Sequence, residues 1–78
     1  MGWQVVDTEC GQVEVKKTNK LIMLREVGQT SEYPHSTVSL DWWGNPDMST
    51  LHHSDPGNKG RFGMREVVQA AVTIAVNL

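Results

Sequence analysis

Cysteine is almost missing from this chain. Cys10 stands alone, so no internal disulfide can form, and a small domain without such staples is expected in a reducing compartment. Also missing is any apolar run near the roughly 18 residues that a membrane span needs. No charged and then apolar leader follows the Met-Gly start, and Val6 stands where an N-myristoylation signal has Ser or Thr. The expectation is a cytoplasmic protein that makes no membrane contact. Seven glycines and three prolines are too few for a collagen-like or low-complexity chain, and 38% apolar residues are too many for a disordered one. The 78 residues leave room for one small domain, spanning 1–78.

Positive charge is absent from the middle of the chain. From Glu26 to Asn58 there is no Lys or Arg, while Glu26, Glu32, Asp41, Asp47 and Asp55 are all acidic. Upstream, Lys16, Lys17, Lys20 and Arg25 roughly balance Asp7, Glu9 and Glu14; downstream, Lys59, Arg61 and Arg65 form a short basic run. The net charge is −2, whereas a general nucleic-acid binder carries a positive balance. An acidic middle beside a basic run bears on partners rather than on fold.

The periodicity that is present reads as strands followed by a helix. Trp3 to Thr8 is β-branched and partly alternating, and Glu9-Cys10-Gly11 supplies a turn. Gln12 to Thr18 alternates cleanly, with Val13, Val15 and the Lys17 stem on one face. Thr18-Asn19-Lys20 predicts a tight turn into a third strand from Leu21 to Val27. Gly28 to His35 reads as loop. Thr37 to Trp43 then alternates Val38, Leu40 and Trp42 against Thr37, Ser39, Asp41 and Trp43, which places Trp42 inward and Trp43 on the polar face. Residues 44–62 read as one long loop, a length that is usually functional or disordered; the plainer reading is an ordered surface loop packed by Met48, Leu51 and Phe62, with one helical turn capped by Asp47.

At 100° per residue, Met64, Val67, Val68, Ala71, Val72, Ile74, Ala75 and Leu78 gather on one side of a helix that spans about Met64 to Val76. The expected fold is α+β, with a small antiparallel sheet of three or four strands and one C-terminal amphipathic helix packed on one face. Its expected core is Val5, Val13, Val15, Leu21, Met23, Val38, Leu40, Val67, Val68, Ala71, Val72 and Ala75.

The loop and its surroundings hold residue types suited to four chemistries. His52, His53 and Asp55, with His35 and Cys10, are competent metal ligands, but adjacent histidines rarely share one tetrahedral ion and no paired Cys-x-x-Cys or His-x-x-x-His accompanies them. No metal and no cofactor are expected. His53, Ser54 and Asp55 are the residue types of a triad, yet a triad converges from different elements and no Gly-x-Ser-x-Gly elbow is present. Cys10 has no neighbouring cation to activate it. No catalytic residue is therefore assigned, and the chain is expected not to be an enzyme.

The third chemistry is anion binding by Gly57-Asn58-Lys59-Gly60-Arg61-Phe62-Gly63, where glycines and a following helix start accompany Lys59, Arg61 and Arg65. The Walker pattern lacks its terminal Gly-Lys-Ser/Thr, and the Gly-x-x-Gly at 57–60 lacks the flanking helices of a KH domain. The fourth is a protein-binding surface. Trp43, Asp41, Asp47, Tyr33 and Met48 combine aromatic and Met side chains with acid, a composition suited to a partner with a basic surface.

The reading that follows is a small protein-binding module, an accessory inhibitor that blocks a larger, nucleic-acid-binding or other macromolecule. In size and charge layout it compares with phage and mobile-element proteins directed against host machinery, anti-CRISPR proteins among them, which is a comparison of scale and not of residues. The alternative is a nucleic-acid or phosphate binder using Lys59, Arg61 and Arg65, and a homodimer is compatible with either.

Overall fold

The computed structural model describes residues 2–30 and 32–78. Five antiparallel strands, β1 (Gln4–Thr8), β2 (Gly11–Lys17), β3 (Leu21–Arg25), β4 (Ser36–Ser39) and β5 (His52–His53), follow one another as a meander in the order β1-β2-β3-β4-β5. One helix, α1 (Arg65–Ala75), packs across β1, β2 and β3. The small antiparallel sheet with a C-terminal helix is as the periodicity predicts, but the strand number is five rather than three or four. The extra strand comes from the 44–62 segment. It pairs His52 with Thr37 and His53 with Ser36, between single 3₁₀ turns at Met48–Thr50 and Gly60–Gly63. That stretch is an ordered return to the sheet rather than one long loop.

The inner face carries Val6, Val13, Val15, Ile22, Leu24 and Val38 from the sheet against Val67, Val68, Ala71, Val72 and Ala75 from α1, with Phe62 closing one end. Helix positions and β2 match expectation. Two strand faces do not. Val6 is buried and Val5 is 50% exposed; Ile22 and Leu24 are buried, whereas Leu21 and Met23 are only half-buried. Leu40 likewise packs at the margin of the core. The pairing explains the phase: Val6 stands opposite Val13 and Leu24 opposite Val15, so the clean alternation of β2 dictates which side of its neighbours faces inward.

On the other face Arg25 pairs with Glu14 at 2.8 Å, directly across the β2–β3 ladder, and its guanidinium lies 4.2 Å from the centre of the Trp3 ring. Trp3 thereby covers an ion pair that is largely out of water, a geometry worth about 0.5–2 kcal/mol for the cation–π contact. At the far end of the helix the Lys17 ammonium donates to the carbonyls of Val76 (2.8 Å) and Leu78 (3.3 Å). This satisfies orphan carbonyls where the helix dipole favours a cation.

Candidate functional site

Beyond Ser39 the chain leaves the sheet and turns back at a bridge between Leu40 and Pro46. The tip between them is fixed by its own hydrogen bonds. The Asp41 amide donates to the Asn45 carbonyl at 2.8 Å, and the Gly44 amide to the Asp41 carbonyl at 3.0 Å. The Asp41 carboxylate accepts from the amides of Trp43 (2.9 Å) and Asn45 (2.8 Å). Gly44 sits at φ +82°, a conformation that side-chain-bearing residues rarely adopt. An Asp side chain folding onto its own backbone, then Gly and Asn-Pro, is sufficient turn chemistry to end a strand.

Both tryptophans project from this tip, Trp42 at 93% and Trp43 at 81% exposure. Trp42 is therefore not a core residue, contrary to the alternation through Val38 and Leu40. The strand stops at Ser39, so the inward phase is lost before position 42 is reached.

The other residues expected at a partner surface are dispersed. Asp47 flanks the tip, donates its amide to the Ser39 carbonyl at 2.9 Å, and caps the following 3₁₀ turn by accepting from the Ser49 amide (3.0 Å) and hydroxyl (2.6 Å). Those Ser49 donors hold its carboxyl below the ordinary carboxylate range. Met48 is half-buried against the core. Tyr33 is 83% exposed, but it lies in the β3–β4 connection. Because Leu24 pairs with Ser36 and Leu21 with Ser39, that connection is at the opposite end of the sheet from the tryptophans.

The basic run is divided in the same way. Lys59 and Arg65 are exposed, whereas Arg61 turns back onto the fold. Its Nη2 is 2.7 Å from a Glu26 carboxylate oxygen, its Nη1 donates to the Cys10 carbonyl at 3.3 Å, and Nη2 also donates to the Gln12 carbonyl. Arg61 thus ties the Gly60–Gly63 turn to the β1–β2 hairpin and to the end of β3. Its charge is already matched.

His53, Ser54 and Asp55 do not converge. His53 Nδ1 shares a 2.8 Å hydrogen bond with the buried Ser36 hydroxyl, Ser54 Oγ donates to the His35 carbonyl at 3.2 Å, and Asp55 accepts from the Gly57 amide at 3.2 Å. Burial first, and then the nearby Lys59, His35 and His52, lower the His53 pKa. Cys10 is half-buried against the core. Among the described residues no group of three or more His, Cys, Asp or Glu is placed to hold a metal ion. No helix among them is long and apolar enough to cross a membrane.

A concavity elsewhere on the fold is not legible in the sequence. It is a groove of about 510 Å³ between β1 and α1, with Asp7 and Glu9 on the strand side and Glu66, Ala70, Thr73 and Ile74 on the helix side. Its two walls are some sixty residues apart in the chain, so no local spacing announces it. Comparison with family models, curated proteins and solved structures finds no match to this chain.

Proposed function

We propose that the protein is a non-enzymatic binding module that docks on a basic surface of a larger protein through Trp42 and Trp43. One observation carries the reading: two adjacent indoles stand more than four-fifths exposed on a tip whose backbone is locked by Asp41. A tryptophan buries 150–250 Å², so leaving each in water forgoes roughly 4–6 kcal/mol of burial free energy. Tryptophan is the residue most enriched at binding hot spots. A tip already ordered in the free protein also avoids the entropy of ordering it on binding. Asp41 and Asp47 flank the indoles within a segment that has no Lys or Arg, which suits a cationic rim on the partner. The effect of such docking is occlusion, and the protein acts as an accessory inhibitor of the macromolecule it covers, in the manner of phage and mobile-element proteins.

The test is capture of a partner from the native host with the immobilised protein, followed by titration of the purified pair. Trp43→Ala and Trp42→Ala should each weaken binding by about 30-fold or more, equivalent to about 2 kcal/mol. The tryptophan emission should shift to the blue as the partner covers the indoles. A partner that binds both variants as tightly as wild type removes the tip from consideration.

A further inference from the structure

The groove between β1 and α1 lies beside an unpaired sheet edge. Among the described residues β1 pairs only with β2, and of its five residues only Val6 is buried. A strand edge of this kind offers alternate amides and carbonyls for one more strand. The register places the groove at a particular corner. Thr8 pairs with Gly11 at the β1–β2 turn, whereas the tryptophan tip follows Ser39, which pairs with Leu21 at the other end of the sheet. Groove and tip therefore occupy diagonally opposed corners of the fold.

We infer that β1 and the adjoining groove form a second docking site, which takes an extended basic segment of another protein as a sixth strand. Three features of the groove select that occupant. Ala70 and Ile74 give it an apolar floor on which alternate side chains of an added strand can rest. At about 510 Å³ it lies within the roughly 300–1,000 Å³ of ordinary binding pockets. Glu9 and Glu66 bring negative charge to it and no Lys or Arg lines it among the described residues, whereas the Asp7 carboxylate accepts from the Gln12 side-chain amide on the opposite face of the sheet; the two glutamates attract cationic side chains to the groove. A second copy of this chain is disfavoured by the same charges, because pairing β1 with β1 would bring two acidic grooves together. The site is independent of the tryptophan tip and does not require it.

A dye-labelled peptide of alternating Lys and Val tests the site, with fluorescence anisotropy for affinity and hydrogen exchange for position. The Lys-Val peptide should bind, an alternating Glu-Val peptide should not, and amides of Gln4–Thr8 should gain protection in the complex. Glu66→Lys, on the exposed side of the helix, should weaken binding roughly five- to tenfold. Glu32→Lys carries the same change in net charge outside the groove and should leave binding unchanged. Failure of the Lys-Val peptide to bind, equal binding of the Glu-Val peptide, protection elsewhere than β1, or equal losses in Glu66→Lys and Glu32→Lys would each overturn the inference. So would sedimentation showing that the free protein pairs with itself through β1.

Discussion

Arg61 and Glu26, 35 positions apart in the chain, meet with Nε 2.8 Å from one carboxylate oxygen and 3.1 Å from the other. The same guanidinium reaches the carbonyls of Cys10 and Gln12, and Gly11, at φ +105°, leaves it room: a Cβ there would lie 3.1 Å from Nη1. One side chain thus joins three connections, and in doing so it leaves the surface that a basic run would otherwise present to an anion.

Removing that side chain should cost stability before it costs any binding. Arg61→Ala is expected to destabilise by about 1–2 kcal/mol, the pair being partly exposed and the lost carbonyl bonds modest, as read by urea denaturation. Nucleic-acid binding is better tested at Lys59, which has no such duty. At about 150 mM salt, the roughly two phosphate contacts open to Lys59 and Arg65 give at most weak non-specific affinity, about 10⁻⁴ to 10⁻⁶ M. A submicromolar gel shift that is lost in Lys59→Glu would restore the anion-binding alternative.

Trp42→Ala and Trp43→Ala should leave the thermal midpoint nearly unchanged. Surface substitutions of this kind stay within about 0.5 kcal/mol. Asp41→Ala should do more harm, about 1 kcal/mol, because it removes the acceptor for two backbone amides. A thermal melt in which Trp42→Ala falls by several kcal/mol, with Asp41→Ala silent, would mean that the indole is packed and the tip is not built as described.

Val68 is fully buried between helix and sheet. Val68→Asp places a carboxylate there without a partner and should unfold the protein outright. Far-ultraviolet circular dichroism would show it, and retention of the wild-type melting temperature would contradict the helix packing.

The pH dependence should carry a histidine signature at acidic pH. The folded-state pKa of His53 lies below its unfolded value of about 6.5. Between the two values the unfolded chain binds the proton and the folded chain does not. The contribution is therefore complete above about pH 6.5 and is lost as pH falls through the folded pKa. Stability measured from pH 7.5 downward should decline below about 6.5, and His53→Gln should flatten that part of the curve.

Where alternation coincides with a whole strand, as in β2, or helical spacing with a whole helix, the sequence is enough to place the residues. Val13, Val15 and the helix face from Val67 to Ala75 fall on the core as their spacing dictates. Val5-Val6 and Leu21-Ile22-Met23-Leu24 are apolar at successive positions, so their own pattern sets no phase, and only pairing with β2 does so. Phe62 is legible as a packing residue of its segment, together with Met48 and Leu51, but not as a fully buried member of the main core, because it stands among glycines with no periodic neighbours. At the candidate site, the Trp-Trp pair and the acids beside it are visible in the sequence. The exposure of Trp42 is not, because it depends on where a strand ends and not on which residues could continue it. The groove depends on tertiary approach alone.

The meander order has a kinetic consequence. Every strand pairs with its neighbour in sequence, across short turns from β1 to β3 and longer connections from β3 to β5. Docking of α1 on β1 instead brings opposite ends of the chain together, and closure entropy grows with loop length as about (3/2)RT ln n. Local pairings favour rapid folding, while the contacts of α1 with β1, β2 and β3 raise the mean separation of contacting residues and oppose it. The apolar face of β1, β2 and β3 is therefore covered by a segment from the far end of the chain, and the entropy of closing that long loop falls on the helix rather than on the sheet.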